Sequence, residues 1–105
     1  MNLNLKNQGV IITGATGGIG GDIAAEFLIE KAIVICLFRN ELKMKQFKSK
    51  LKEDNISLSN LYSYKCNLLD YREIVKTVRE INNKFNKVNT LVNCAGYTKE
   101  YPLQC

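Results

Sequence analysis

Residues 13–20 read Thr13-Gly14-Ala15-Thr16-Gly17-Gly18-Ile19-Gly20, and they continue without a break from a short apolar run, Val10 to Thr13. An amphipathic pattern opens inside the same stretch. From Gly18 to about Glu30, Ile19, Ile23 and Phe27 recur at every fourth position with Ala24 and Leu28 beside them, which predicts a helix. A glycine-rich turn between a strand and a helix is a phosphate cradle. Glycine permits the sharp turn and lets the backbone approach a pyrophosphate closely, and the first N–H groups of the helix present the positive end of its dipole. Alone, G-x-x-x-G-x-G is a weak signal; in the first βα turn of a βαβ unit it has the context that marks a dinucleotide fingerprint. The competing reading is that the glycines serve the tight turn only.

Outward from this stretch, short apolar runs alternate with amphipathic ones, as parallel strands joined by crossover helices require. Ile33 to Phe38 is an unbroken apolar run, suited to a central strand covered on both faces. Asn40 is placed to cap a second helix with Met44, Phe47 and Leu51 as its buried stripe. Beyond the polar loop Glu53 to Asn60, Leu61 to Cys66 alternates and fits a strand nearer a sheet edge. Asp70 and Glu73 have capping-box spacing, and the helix they open carries Ile74, Val78, Ile81 and Phe85. Val88 to Cys94 is the fourth strand, and only Tyr97 to Cys105 follows. The pattern is β-α-β-α-β-α-β, with no internal repeat and no linker.

Composition sets the outer limits. The chain has 105 residues, 46% hydrophobic and 24% charged, with seven Gly and one Pro, which suits one soluble domain and excludes disordered, collagen-like and two-domain chains. No apolar run reaches the ~18 residues of a membrane span. The start, Met1-Asn2-Leu3-Asn4-Leu5-Lys6, lacks a signal peptide. A reducing compartment is expected, the cytoplasm or an organelle matrix. Cys36, Cys66, Cys94 and Cys105 form no C-x-x-C pair and there is no His, so neither a metal site nor a disulfide framework is expected. The first three read as small apolar residues at strand ends. Without His, acid–base chemistry would have to come from Tyr, Lys, Asp or Glu. The net charge of +5 invites a nucleic-acid reading, but Lys43, Lys45, Lys48, Lys50 and Lys52 fit the wet face of one helix, so no nucleic-acid or membrane partner is expected.

The sequence resembles the short-chain dehydrogenase/reductases. Thr13 to Gly20 fits that family's T-G-x-x-x-G-[IL]-G signature, and Asn93-Cys94-Ala95-Gly96 resembles its N-N-A-G motif with Cys in place of the second Asn. The spacing between the motifs also fits. Within the family the likeness is greatest to the 3-oxoacyl-acyl-carrier-protein reductases, through Ile11 to Gly20, Arg39-Asn40-Glu41 and Leu91 to Glu100. The resemblance implies an α/β fold: an incomplete Rossmann-type doubly wound parallel sheet of order 3-2-1-4, with residues 1–105 forming the N-terminal part of a single NAD(P)-binding domain. It covers the whole chain but only about the first two-fifths of a family domain.

Cofactor choice turns on the end of the second strand, where an acidic residue would grip the ribose hydroxyls of NAD. Phe38 stands there, followed by Arg39, whose guanidinium can pair with a 2′-phosphate; NADP is the expected cofactor and NAD the alternative. Arg39 could equally be a solvated loop residue, and Gly17 stands where many NADP-preferring relatives carry a second basic residue. Asn67 replaces an Asp that in relatives accepts from the adenine amino group. Its amide oxygen can still accept, or it simply begins the turn before Asp70. By resemblance Leu68 lies beside it on the cofactor, and Asn93, Ala95 and Gly96 line the ribose and nicotinamide side. The expected cofactor-binding set is therefore Gly14, Thr16, Gly17, Gly18, Ile19, Gly20, Arg39, Asn67, Leu68, Asn93, Ala95 and Gly96. Lys31 departs from a common Gly between the first helix and second strand, where a positive φ costs a non-Gly residue about 1 kcal/mol.

Family chemistry is hydride transfer at a carbonyl. Its Ser, and its Tyr with a Lys four residues later, lie beyond the N-N-A-G motif. No Tyr-x-x-x-Lys occurs in this sequence and no Ser follows Ser63, so no catalytic residue is assigned. The expectation is the N-terminal part of an NAD(P)-dependent carbonyl reductase, as a fragment, truncated product or split chain, with a carbonyl substrate only in a complete chain. The alternative is a non-catalytic nucleotide-binding or interaction module, using an open sheet edge at Val88, Leu91 and Val92 for self-association.

Overall fold

The computed structural model describes residues 5–85 and 87–94. Seven elements follow one another: β1 (Gly9–Thr13), α1 (Gly18–Ile29), β2 (Ile33–Phe38), α2 (Glu41–Glu53), β3 (Leu61–Lys65), α3 (Tyr71–Lys84) and β4 (Val88–Asn93). The strands form one parallel sheet in the order β3-β2-β1-β4. The expected fold class and strand order are both found.

Alternation along the two central strands divides the core. Val10 and Ile12 of β1 and Val34 and Cys36 of β2 pack with Ala24, Leu28, Met44 and Leu51, so α1 and α2 cover one face. Ile35 and Leu37 turn to the other face, with Cys66, Ile81, Ile11, Ile74 and Phe85 under α3. Burying each large aliphatic side chain of this kind contributes roughly 2 kcal/mol. Alternating β3 is an edge strand, as its pattern suggested, and Lys48 Nζ donates to Ser63 Oγ at 3.1 Å to tie α2 to it.

Local chemistry sets the helix ends. Asn40 Oδ1 accepts from the N–H of Lys43 at 3.0 Å, the expected cap of α2. Asp70 Oδ1 accepts from Arg72 and Glu73 at 3.0 and 3.4 Å, but the expected capping box closes differently. Glu73 Oε1 reaches past the cap to the N–H of Asn67 at 3.3 Å, because the Asp70 N–H already donates to the Asn67 carbonyl. Helix α1 ends in a Schellman arrangement, with Lys31 N–H on Leu28 O and Ala32 N–H on Phe27 O, both at 3.0 Å. Lys31 therefore sits at φ 68°, where its side chain is strained. Lys31→Gly should raise stability by about 1 kcal/mol, read as a higher urea midpoint at unchanged slope.

Four further expectations are corrected. The inward line of α1 is Gly20, Ala24 and Leu28, with Ile23 and Phe27 at its margins and Ile19 left 49% exposed. The buried line of α3 runs through Thr77 and Ile81, so Val78 stands outside the core beside an open groove with Ile74, Val88 and Leu91. Cys36 lies within β2 rather than at its end. On β4 only Leu91 of the three apolar residues named above is exposed; Val88 and Val92 are half-buried.

Candidate functional site

Because all four strands are parallel, their C-terminal ends lie along one edge of the sheet. That edge carries the glycine turn after β1, Arg39 after β2, Asn67 and Leu68 after β3, and Asn93 at the end of β4. The order reverses beside β1, since β2 lies on one side and β4 on the other, and such a switch point opens a crevice between loops. The chain thus gathers the predicted residues into one place although they span some 80 positions. Ala95 and Gly96 of the predicted set lie outside the described residues.

The turn itself is built in two halves. Gly14 adopts φ 73°, a left-handed conformation that L side chains resist, and its carbonyl accepts from the Gly17 N–H at 3.1 Å. Gly17 then caps α1 with no side chain, and no acidic residue follows in the first turn. The helix start therefore keeps its N–H groups and dipole uncompensated, the condition for holding an anion.

The glycines differ in what they serve. A Cβ on Gly20 would lie 2.2 Å from the Gly14 carbonyl oxygen, so Gly20 is demanded by the contact between helix and turn. A Cβ on Gly18 would meet nothing within 4 Å, and one on Gly17 would meet only the Gly14 oxygen, at 3.5 Å. Packing among the described residues does not explain the bare backbone at 17 and 18. Bare backbone at a helix start is what close approach of an anionic ligand requires. Thr16, Gly17 and Gly18 also form the upper end of a groove of about 460 Å3 between α1 and α2.

Thr13 joins the two halves of the site. Its buried hydroxyl donates to Asn93 Oδ1 at 2.8 Å, and its carbonyl accepts from the Cys94 N–H at 3.0 Å. The bond fixes the Asn93 carboxamide beside the glycine turn and leaves its NH2 group to be used elsewhere. Thr13 was in the quoted motif but not in the predicted set. Its signal was position: β1 and β4 are neighbours, and Thr13 and Asn93 are register partners. Gly9 was missed as well; a Cβ there would lie 2.2 Å from the Lys87 carbonyl oxygen, where the β1–β4 register shifts.

The remaining predicted residues are placed as follows. Arg39 is exposed between β2 and the Asn40 cap. Asn67 Oδ1 accepts from the Leu69 N–H at 3.0 Å, so this residue does begin the turn before Asp70. One lone pair of that oxygen remains for a ligand. Leu68 is half-buried and packs against the α3 side of the sheet. Ile19 offers its backbone in the first turn of α1 while its side chain faces out. Burial pushes the Cys36 thiol up to about 12, against the lowering pull of Lys48, so this cysteine carries no thiolate chemistry near neutral pH. Among the described residues no group of three or more His, Cys, Asp or Glu is placed to hold a metal ion. None of the described helices is long and apolar enough to cross a membrane.

A glycine turn of this geometry, bonded through Thr13 to the end of β4 in a 3-2-1-4 parallel sheet, defines a dinucleotide-binding α/β domain. The chain belongs to the short chain dehydrogenase family, whose sequence model matches residues 8–104. It is 36% identical over 99 residues to the 3-oxoacyl-acyl-carrier-protein reductase of Rickettsia bellii, a match covering 93% of this chain and 36% of that protein. It is 31% identical over 98 residues to the 3-ketodihydrosphingosine reductase of Bos taurus, covering 90% of this chain and 29% of that one. Among solved structures, the N-domain of a bacterial malonyl-CoA reductase with NADP aligns with a TM-score of 0.79 at 28% identity, over 90% of this chain and 17% of that one. The chain spans about a third of the length of these two curated relatives. Proteins of this family bind a nicotinamide dinucleotide.

Proposed function

We propose that this chain is the dinucleotide-binding part of a carbonyl reductase that prefers NADP to NAD. The observation that carries the reading is the open space over Gly17 and Gly18 at a helix start with no side-chain cap, on the same sheet edge as Arg39. The backbone from Gly14 to Gly20 holds the pyrophosphate, with Thr16 at the rim of the groove and the Gly18, Ile19 and Gly20 N–H groups at the helix start. Arg39 pairs with the ribose 2′-phosphate, a charge-assisted contact on the order of 1.5–3 kcal/mol. Asn67 and Leu68 bound the adenine side. Asn93, oriented by Thr13, and Ala95 and Gly96 by resemblance, bound the ribose next to the nicotinamide. When bound, the nicotinamide supplies the hydride for a carbonyl carbon; the residues described here position it, and none of them is assigned as the proton donor.

Support for a carbonyl substrate comes from the relatives, both of which are named as reductases, one of a 3-oxoacyl group and one of a 3-keto group. The test is calorimetric titration of the chain with NADPH and with NADH. NADPH should bind at least tenfold tighter, and Arg39→Ala should remove most of that difference. Equal affinities in the unaltered chain, or a preference untouched by Arg39→Ala, would retire the NADP assignment.

A further inference from the structure

We propose that the outer face of α1 docks on the outer face of α3 of a second copy of this chain, joining copies head to tail. Helix α1 carries no cation, and its outward side holds the exposed carboxylates of Asp22 and Glu26, with Glu30 at its C-cap. They recur every four residues over roughly 12 Å, on the side away from Gly20, Ala24 and Leu28. Helix α3 shows the opposite sign. Arg72, Lys76 and Arg79 are spaced four and three apart over roughly 10 Å, on the side away from Thr77 and Ile81. With Tyr71 and Val75 they line a shallow groove of about 380 Å3.

Neither row is paired among the described residues, where the one ion pair joins Lys65 to Glu41. The carboxylates at the start of α3 are committed to backbone: Asp70 accepts from the N–H groups of Arg72 and Glu73, and Glu73 from that of Asn67. Glu80 is the one carboxylate of the basic groove. Each row also has the exposed apolar side chains that a dry interface centre needs. Ile19 and Ile29, the latter 54% exposed, stand among the carboxylates, and Tyr71, 78% exposed, stands beside half-buried Val75 in the groove. The lysines of α2 make the contrast. Lys45, Lys50 and Lys52 are exposed too, but lysine is strongly hydrated and depleted from interfaces, whereas Arg and Tyr are enriched there.

The two rows lie on opposite faces of the sheet, since α1 packs on one and α3 on the other. A two-fold pair cannot bring both contacts together at once. The contact is therefore heterologous: a dimer keeps a free α1 at one end and a free α3 at the other, so association runs on into an open row or a ring. Exposed ion pairs are individually weak, which places the contact in about the 10–100 µM range.

Sedimentation velocity across a concentration series tests this on the whole chain and three neutralised variants. They are Asp22→Asn with Glu26→Gln and Glu30→Gln on α1, Arg72→Gln with Lys76→Gln and Arg79→Gln on α3, and, as the control, Lys45→Gln with Lys50→Gln and Lys52→Gln on α2. The unaltered chain should associate, its average mass passing that of a dimer as concentration rises. The α1 and α3 variants should each bind at least about tenfold more weakly, and the α2 variant should stay within about twofold of the parent. Mixed one to one, the α1 and α3 variants retain one intact face each and should form a dimer that grows no further, which also shows that both are folded. A monomeric parent chain, association that survives in either the α1 or the α3 variant, equal loss in the α2 variant, or a mixture that stays monomeric would each overturn the proposal. Association that survives both and is lost in Leu91→Lys would place the contact at the β4 edge instead.

Discussion

Gly20→Ala should destabilise the chain by about 3 kcal/mol and lower its thermal midpoint by roughly 15 °C. The added Cβ would lie 2.2 Å from the Gly14 carbonyl oxygen and 2.9 Å from its carbon, and both atoms are backbone. No rotamer change relieves such a contact; α1 must move away from the turn and lose part of its packing through Ala24 and Leu28. Against a domain stability of about 5–15 kcal/mol, that is a large share. Gly18→Ala is the matched control. Its Cβ meets nothing within 4 Å, and a glycine removed from a helical position gives up to about 1 kcal/mol in favour of the folded state. Thermal denaturation of the two variants side by side checks the pair; equal midpoints would show that the helix is not seated on the turn as described.

The second large effect separates binding from stability. Gly18→Asp puts a carboxylate into the open space at the first position of α1, in a turn that has no acidic residue. With no ligand the helix dipole favours it by about 0.3–1 kcal/mol, so the variant should be at least as stable as the parent chain. On the reading proposed above, the same carboxylate stands where the pyrophosphate is held and repels it. Affinity for NADPH should fall by about 100-fold or more, some 2.7 kcal/mol. A residue that held the fold together would lose both properties; a residue kept bare for a ligand loses only the second.

Much of this was legible from pattern because the relevant physics is local. The unbroken run Ile33 to Phe38 and the alternating Leu61 to Cys66 already distinguish a strand buried on two faces from one at an edge, and β2 and β3 take those places. Asn40 and Asp70 announce their helices through short-range hydrogen bonds, and Lys31 occupies the positive-φ position that a helix terminus requires. The inward face of α1 was not legible from its apolar residues. They lie nearly all around it, and Ile19 and Ile29 are about half exposed. The sheet selects the line where the helix can come closest, and small residues, Gly20 and Ala24, mark that line better than large ones. Val78 was misplaced for a related reason: helical spacing gives a broad stripe, and only the packing partner decides which margin is covered.

At the candidate site, the glycine turn and the place of Arg39 after β2 were legible from motif and position, whereas the bond from Thr13 to Asn93 joins residues 80 apart and exists only because β1 and β4 are neighbours. Asn67 was read in two ways, and the structure gives its side chain to the turn. The glycines looked equivalent in the sequence. Only the geometry separates Gly20, which the fold needs, from Gly17 and Gly18, where an added Cβ would crowd none of the described residues.

The most direct test of a ligand-bearing glycine turn is calorimetric titration of NADPH into the unaltered chain and into Gly18→Asp, with the thermal midpoint of each recorded alongside. Saturable binding to the first, at least 100-fold weaker binding to the second, and midpoints equal or higher in the variant are the results expected. Equal NADPH affinity for both chains, or no binding to either, would contradict it.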